Sequence, residues 1–229
     1  MSAVFRRVPW IAATAASAAG VAMLLYPGGT ARDHHTVGYS ITGNFLSDLG
    51  MTVAYNGTSN RVGAALFVSS IVLLIVGMGG ALAGFVRLYG SSQRARRFAL
   101  SAGVLGLIDC ACFAGVALAP EDRAMSMHVA FTLAAFRILP FAALLITLAA
   151  HATPGTPRAV VGVWALLTIV LLAYVVMLQG GAWARSPAGF ASQVLAQKVV
   201  AVVMVSALVW QSVAAAKFNQ PPRAVRLRT

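Results

Sequence analysis

Acidic residues are the scarcest chemistry in this chain: five Asp and Glu stand against 17 Lys and Arg in 229 residues. Charged residues of both signs reach only 10%, hydrophobic residues 59%, and the mean hydropathy is +0.82. Soluble domains carry about 25% charged residues, so this balance excludes one. Cysteine is nearly missing as well. Cys110 and Cys112 stand two apart inside an apolar run, where they cannot readily bridge each other. They read as small packing residues, and no disulfide framework or redox compartment follows from them. Strand-like alternation of apolar and polar positions is missing too, because the apolar runs are long and continuous. A bilayer core of about 30 Å needs about twenty residues of helix, and a helix satisfies its own backbone groups there.

The fold class is therefore an all-α polytopic membrane bundle, a single domain over 1–229 with six transmembrane helices. The spans are predicted at Val8–Tyr26, Arg61–Tyr89, Arg97–Ala119, Ser126–Ala150, Arg158–Gln179 and Phe190–Ala216. Pro27-Gly28-Gly29, Gly90, Pro120, Pro154-Gly155, Gly180-Gly181 and Pro221-Pro222 punctuate their ends. Arg6 and Arg7 before the first run also suit a secretory leader, but no small-residue cleavage site follows, so the first run reads as a retained span.

An even number of spans puts both termini on one side, and eleven basic residues fall there: Arg6, Arg7, Arg87, Arg94, Arg96, Arg97, Arg158, Lys217, Arg223, Arg226 and Arg228. The opposite loops hold four, Arg32, Arg61, Arg123 and Arg185. By the positive-inside rule both termini are cytoplasmic. Topology thus accounts for most of the net charge of +12, and nucleic acid is not an expected partner. The basic tail over 217–229 is suited to anionic headgroups.

The acids run the other way. Asp33, Asp48, Glu121 and Asp122 lie in outer segments, and Asp109 lies inside the third span. Three ionisable residues, Asp109, Arg137 and Lys198, fall at mid-depth, where a charge is expensive and marks a candidate site. The third and fourth spans should be antiparallel neighbours, which lets Asp109 and Arg137 meet as an ion pair. One reading makes that pair a pin between helices, with Lys198 reaching toward the interface along its stem. The other makes Arg137 and Lys198 the cationic wall of an outward-opening polar cavity for an anionic group, with Gln193 and Gln197 beside them.

The polar stretch over 27–60 would cover that cavity. Within it Val37, Ile41, Phe45 and Leu49 recur every four positions, the spacing of an amphipathic interfacial helix or re-entrant turn. Its run Asn44-Phe45-Leu46-Ser47-Asp48-Leu49-Gly50 resembles the N-x-x-S-D-L-G signature of a bacterial and archaeal six-helix membrane family. That family is catalogued only as a domain of unknown function, number nine hundred and ninety-eight. The run is also similar to the outer-loop S-D-x-G of the eukaryotic FRAG, DRAM and SFK membrane proteins, which are linked to lipid handling and autophagy. Pro120, Asp122 and His128 resemble the acid-containing loop and following histidine of such proteins. The resemblance implies a six-span bundle with Asn44, Ser47, Asp48 and Gly50 as its motif, in the cytoplasmic membrane of a bacterium. It implies no activity.

No catalytic set is recognisable and no cofactor is expected. His34, His35, Asp122 and His128 are the residues that would hold a metal in a lipid hydrolase, but no H-E-x-x-H and no i, i+4 histidine pair supports one. Ser47 beside Asp48 lacks an identifiable base and equally suits a turn or cap. Histidines at matched depth for a haem are lacking. Glu121 and Asp122 suit the first turn of a helix, where acids complement its dipole. The reading that results is a membrane protein binding a lipid or a membrane partner, with Asp48, Asp109, His128, Arg137 and Lys198 as ligand-binding candidates. A metal-dependent lipid hydrolase and a small transporter titrating Asp109 are the alternatives, and further membrane subunits are possible partners.

Overall fold

The computed structural model describes residues 2–90, 92–180 and 185–218. The tail from residue 219 lies outside the described residues. Among the described residues six long helices are present: α1 (Ser2–Leu25), α2 (Arg61–Leu88), α3 (Gln93–Leu118), α4 (Glu121–His151), α5 (Arg158–Leu178) and α6 (Pro187–Phe218). All six are long and apolar enough to cross a membrane. The chain is a multi-pass membrane protein with an all-helical bundle.

Local chemistry sets the helix ends. Ser92 starts α3 by accepting from the Ala95 N–H at 3.1 Å, one turn earlier than the hydropathy alone suggests. Prolines precede α4 and α5 at Pro120 and Pro157, and Pro187 opens α6. The fourth apolar run begins near Ser126, but its helix begins at Glu121, because a short turn precedes a kink at Ala124 (φ −145°, ψ 50°). That extra turn carries Glu121 and Asp122 above the apolar part of the helix.

Each helix packs on its neighbours in the chain and α6 closes onto α1, so the six form a ring in sequence order. Small residues set the approach distances. A Cβ on Gly84 would stand 2.5 Å from the Phe5 ring, one on Gly80 3.2 Å from Val4, and one on Gly77 3.3 Å from Ile11. The glycine stripe of α2 is thus the seat of α1. The main apolar core lies in the half of the ring nearer the termini, around Phe85, Phe136, Trp164, Leu171 and Leu208. A second, smaller core at the other end joins Ala22, Tyr26, Leu49, Ala54 and Phe67.

Pro27 to Asn60, termed here the cap, closes that second end. Its one regular piece is a 3₁₀ turn at Leu46–Gly50, which touches α1, α2, α4 and α6 and so plugs the mouth of the ring. The amphipathic helix expected over 37–49 does not form. Val37 is 94% exposed and Ile41 55%, whereas Leu49 is fully buried, so the four apolar positions share no face. Gly38 at φ +66° and an antiparallel bridge between Gly28 and Val37 break the run, because glycine makes the left-handed turn cheaper than a helix.

Candidate functional site beneath the cap

The cap is built from turns that its own polar side chains close. Gly29, at φ +81°, brings the chain against the Asn56 backbone, where a Cβ would meet nitrogen at 2.5 Å. Asp33 accepts from the His35 N–H and the Thr36 hydroxyl, each at 2.9 Å, and these bonds hold its carboxyl below the usual range. His34 stacks on Tyr55, with ring centroids 6.1 Å apart. Asp33, His34 and His35 therefore serve the first turn of the cap.

Asn44 is the centre of the motif and is fully buried. Its amide nitrogen donates to Gly29 O at 2.9 Å and to Asp48 Oδ2 at 3.0 Å, and its Oδ1 accepts from the Ser40 N–H at 2.9 Å. Asp48 Oδ2 also accepts from the Phe45 N–H at 3.1 Å, capping the 3₁₀ turn. Gly50 leaves room for Phe67, whose ring would stand 3.0 Å from a Cβ. Ser47 is buried and forms no hydrogen bond to a base. The resemblance motif is thus a folding unit of the cap.

Two helices hold that unit down. From α6, Lys198 Nζ donates to Asn44 O at 2.6 Å and lies 5.2 Å from the Tyr39 ring centroid, and Gln197 Oε1 accepts from the Leu46 N–H at 2.7 Å. From α4, Asp122 accepts from the Thr52 N–H (2.9 Å), the Thr52 hydroxyl (2.6 Å) and the Val53 N–H (3.1 Å), and Glu121 Oε1 accepts from Tyr55 at 2.7 Å. The first-turn acids read as dipole partners are therefore also fasteners of the cap.

Beneath the fasteners lie polar atoms that nothing satisfies. Asp48 Oδ1, His128 Nε2, Thr132 Oγ1 and Tyr26 Oη are all buried without a hydrogen-bond partner; Tyr26 Oη lies against the Tyr55 backbone short of bonding geometry. His128 Nδ1 lies 2.8 Å from Ala119 O and donates to it, which in the neutral tautomer leaves Nε2 as an acceptor. That Nε2 stands 4.0 Å from Glu121 Oε2, too far for a hydrogen bond. Burial, then the neighbouring Glu121 charge, pushes the Asp48 carboxyl up to about 7, against the opposing pull of Asn44, the Phe45 N–H and Lys198. Burial and the same acids also raise the Tyr26 phenol. These buried polar side chains, with Glu121 beside them, form a polar cluster beneath the cap.

Asp109 and Arg137 do not form the ion pair expected from their depth. Asp109 continues the buried face of α3 set by Ala95, Ala99, Ala102 and Gly106, and its Oδ1 is buried without a partner. Arg137 stands on the opposite, exposed side of α4, in an apolar groove of about 410 Å³ lined by Leu105, Ile138, Phe141, Leu144 and Leu145. Lys198 meets neither of them, since its stem carries the ammonium up to the cap. The fold thus brings Asp48 near Lys198 and Glu121, sets His128 against Glu121, and leaves Arg137 apart. His34, His35, Asp122 and His128 do not converge on one point, and among the described residues no three His, Cys, Asp or Glu side chains can share a metal ion.

No family model, curated protein or solved structure matches this chain. The functional reading therefore rests on the polar cluster. Tyr26 and Thr132 were beyond sequence reasoning: one only closes the first apolar run, and the other gave no signal in an apolar helix.

Proposed function

We propose that this multi-pass membrane protein is a non-enzymatic binding protein whose polar cluster beneath the cap receives a protonated amine. The observation that carries the reading is the set of unsatisfied acceptors there: Asp48 Oδ1 and His128 Nε2, with Glu121 Oε2 beside them. Buried acceptors of this kind need donors. Lys198 supplies one positive charge but directs it to Asn44 O, leaving the carboxylates of Asp48 and Glu121 with less than their balance. A primary ammonium brings one charge and three N–H donors, which suits acceptors too far apart for a bare metal ion. The anionic ligand first expected on Arg137 and Lys198 loses its motive here, because these two cations do not face one space.

The cap faces outward from the cytoplasmic membrane in this reading, supported by the eleven basic residues on the side of the termini against four on the cap side. The amine then comes from an outer-leaflet aminolipid headgroup or from a free amine. Titration of the protein in nanodiscs separates the sources. Ethanolamine lipid should bind and choline lipid should not, since a quaternary ammonium has no N–H to give; binding of free ethanolamine without retention of its lipid marks a soluble ligand. Asp48→Asn and Glu121→Gln should each weaken binding at least about tenfold, the loss of one charge-assisted hydrogen bond. Equal binding of ethanolamine and choline lipids, or affinity untouched by both substitutions, would overturn the reading.

A further inference from the structure

Arg137 carries a second inference, independent of the polar cluster. It is the 17th of the 31 residues of α4, so 16 residues precede it from Glu121 and 14 follow it to His151. At 1.5 Å per residue it lies about 24 Å from one end of the helix and about 21 Å from the other, near the middle of the bilayer. It is exposed, it makes no hydrogen bond, ion pair or ring contact among the described residues, and its surroundings between α3 and α4 are wholly aliphatic and aromatic. A guanidinium never loses its charge in a protein, and exposing one to lipid at the centre of a helix is costly. The fold spends nothing to neutralise it.

We propose that the α3–α4 groove is the docking site of a transmembrane helix from a different protein, and that this helix brings an Asp or Glu at mid-depth to Arg137. Charge complementarity selects the occupant. A lipid phosphate belongs at the membrane surface and would have to sink about half the bilayer to meet this residue. A second copy of the chain offers no acid at the right place: Asp109 is buried inside the ring, and Asp33, Asp48, Glu121 and Asp122 all stand at the cap end. Two copies facing each other across this groove would instead oppose arginine to arginine. A foreign helix satisfies both the charge and the groove, since Leu105, Phe141 and Leu145 give its apolar residues a ridged surface to pack on.

The probe is a labelled 23-residue Leu/Ala peptide with one central Asp, reconstituted with the full protein in zwitterionic liposomes and followed by energy transfer. It should associate about three- to twentyfold more tightly than the same peptide with central Leu, the range of polar contacts between membrane helices. Arg137→Leu should abolish that difference, and Arg137→Lys should retain part of it. Thermal unfolding of the Arg137→Leu variant without peptide checks its integrity and should show no loss of stability, because the removed charge faces lipid. Equal association of the Asp and Leu peptides with the native protein would overturn the proposal. So would loss of the difference on adding phosphatidylglycerol, which would assign the groove to an anionic lipid instead.

Discussion

Asp48 shows how one residue can hold a turn and take part in the proposed site at once. One carboxylate oxygen caps the Leu46–Gly50 turn through Phe45 and Asn44, while the other is buried with no partner. A raised carboxyl pKa sets the pH response. The native state holds its proton up to about pH 7, whereas the ordinary value is 3.8, so between these the folded protein binds more protons than the unfolded chain. Stability from this group is therefore complete below about pH 4, falls by about 4 kcal/mol as the pH rises to 7, and is flat above. Thermal unfolding in detergent from pH 4 to 8 should show this slope in the native protein and not in Asp48→Asn; parallel curves would remove the argument. The importance of Asn44 and Asp48 was legible as a cluster of polar residues in an apolar chain. Their partners were not, because Lys198, Gln197 and Glu121 come from helices about 70 to 150 positions away.

The helices were legible from hydropathy because a membrane helix declares itself by length and composition alone. Boundaries shifted where a side chain or a kink intervened, as Ser92 and Ala124 show. The cap was the misleading element: a four-residue spacing of apolar positions suits an amphipathic helix or a re-entrant turn, but four of its glycines take left-handed or otherwise positive φ, and hydrogen bonds to α4 and α6 decide its shape. Packing of α1 on α2 is the element-scale test. Gly84→Ala puts a methyl into Phe5, whereas Gly79→Ala meets nothing within 4 Å. The first should lower stability by about 1–3 kcal/mol in detergent melts, the usual cost of overpacking. The second should be neutral or slightly stabilising, since alanine is the better helix former.

At the scale of the whole molecule, the six-span layout and the shared side of the two termini followed from counting runs, and the ring did not. Apolar runs report what faces lipid or core without reporting which helices touch, so the closure of α6 onto α1 and the split of Arg137 from Lys198 needed three dimensions. Orientation is open to direct test. Cysteines at Gly57 in the cap and at Gly155 between α4 and α5 stand at opposite ends of the bundle, and a Cys112→Ala background removes the partly exposed native thiol, since Cys110 is buried. In intact cells an impermeant maleimide should label the Gly57→Cys variant and spare Gly155→Cys until the membrane is opened. The reverse pattern would turn the proposed site to the cytoplasm.

The closure of α6 onto α1 also bears on how much the order of the chain matters. The start of α1 and the end of α6 lie on the same side of the membrane and on adjoining helices, so a short linker could join them. The bundle is then circular in all but its backbone. New ends placed at the Gly155 turn would give α5, α6, α1, α2, α3 and α4 in that order, with every helix keeping its neighbours and its direction across the bilayer. The cap would stay between α1 and α2, and its two fastening helices would exchange places in time: α6 would leave the ribosome before the cap it holds, and α4 after it.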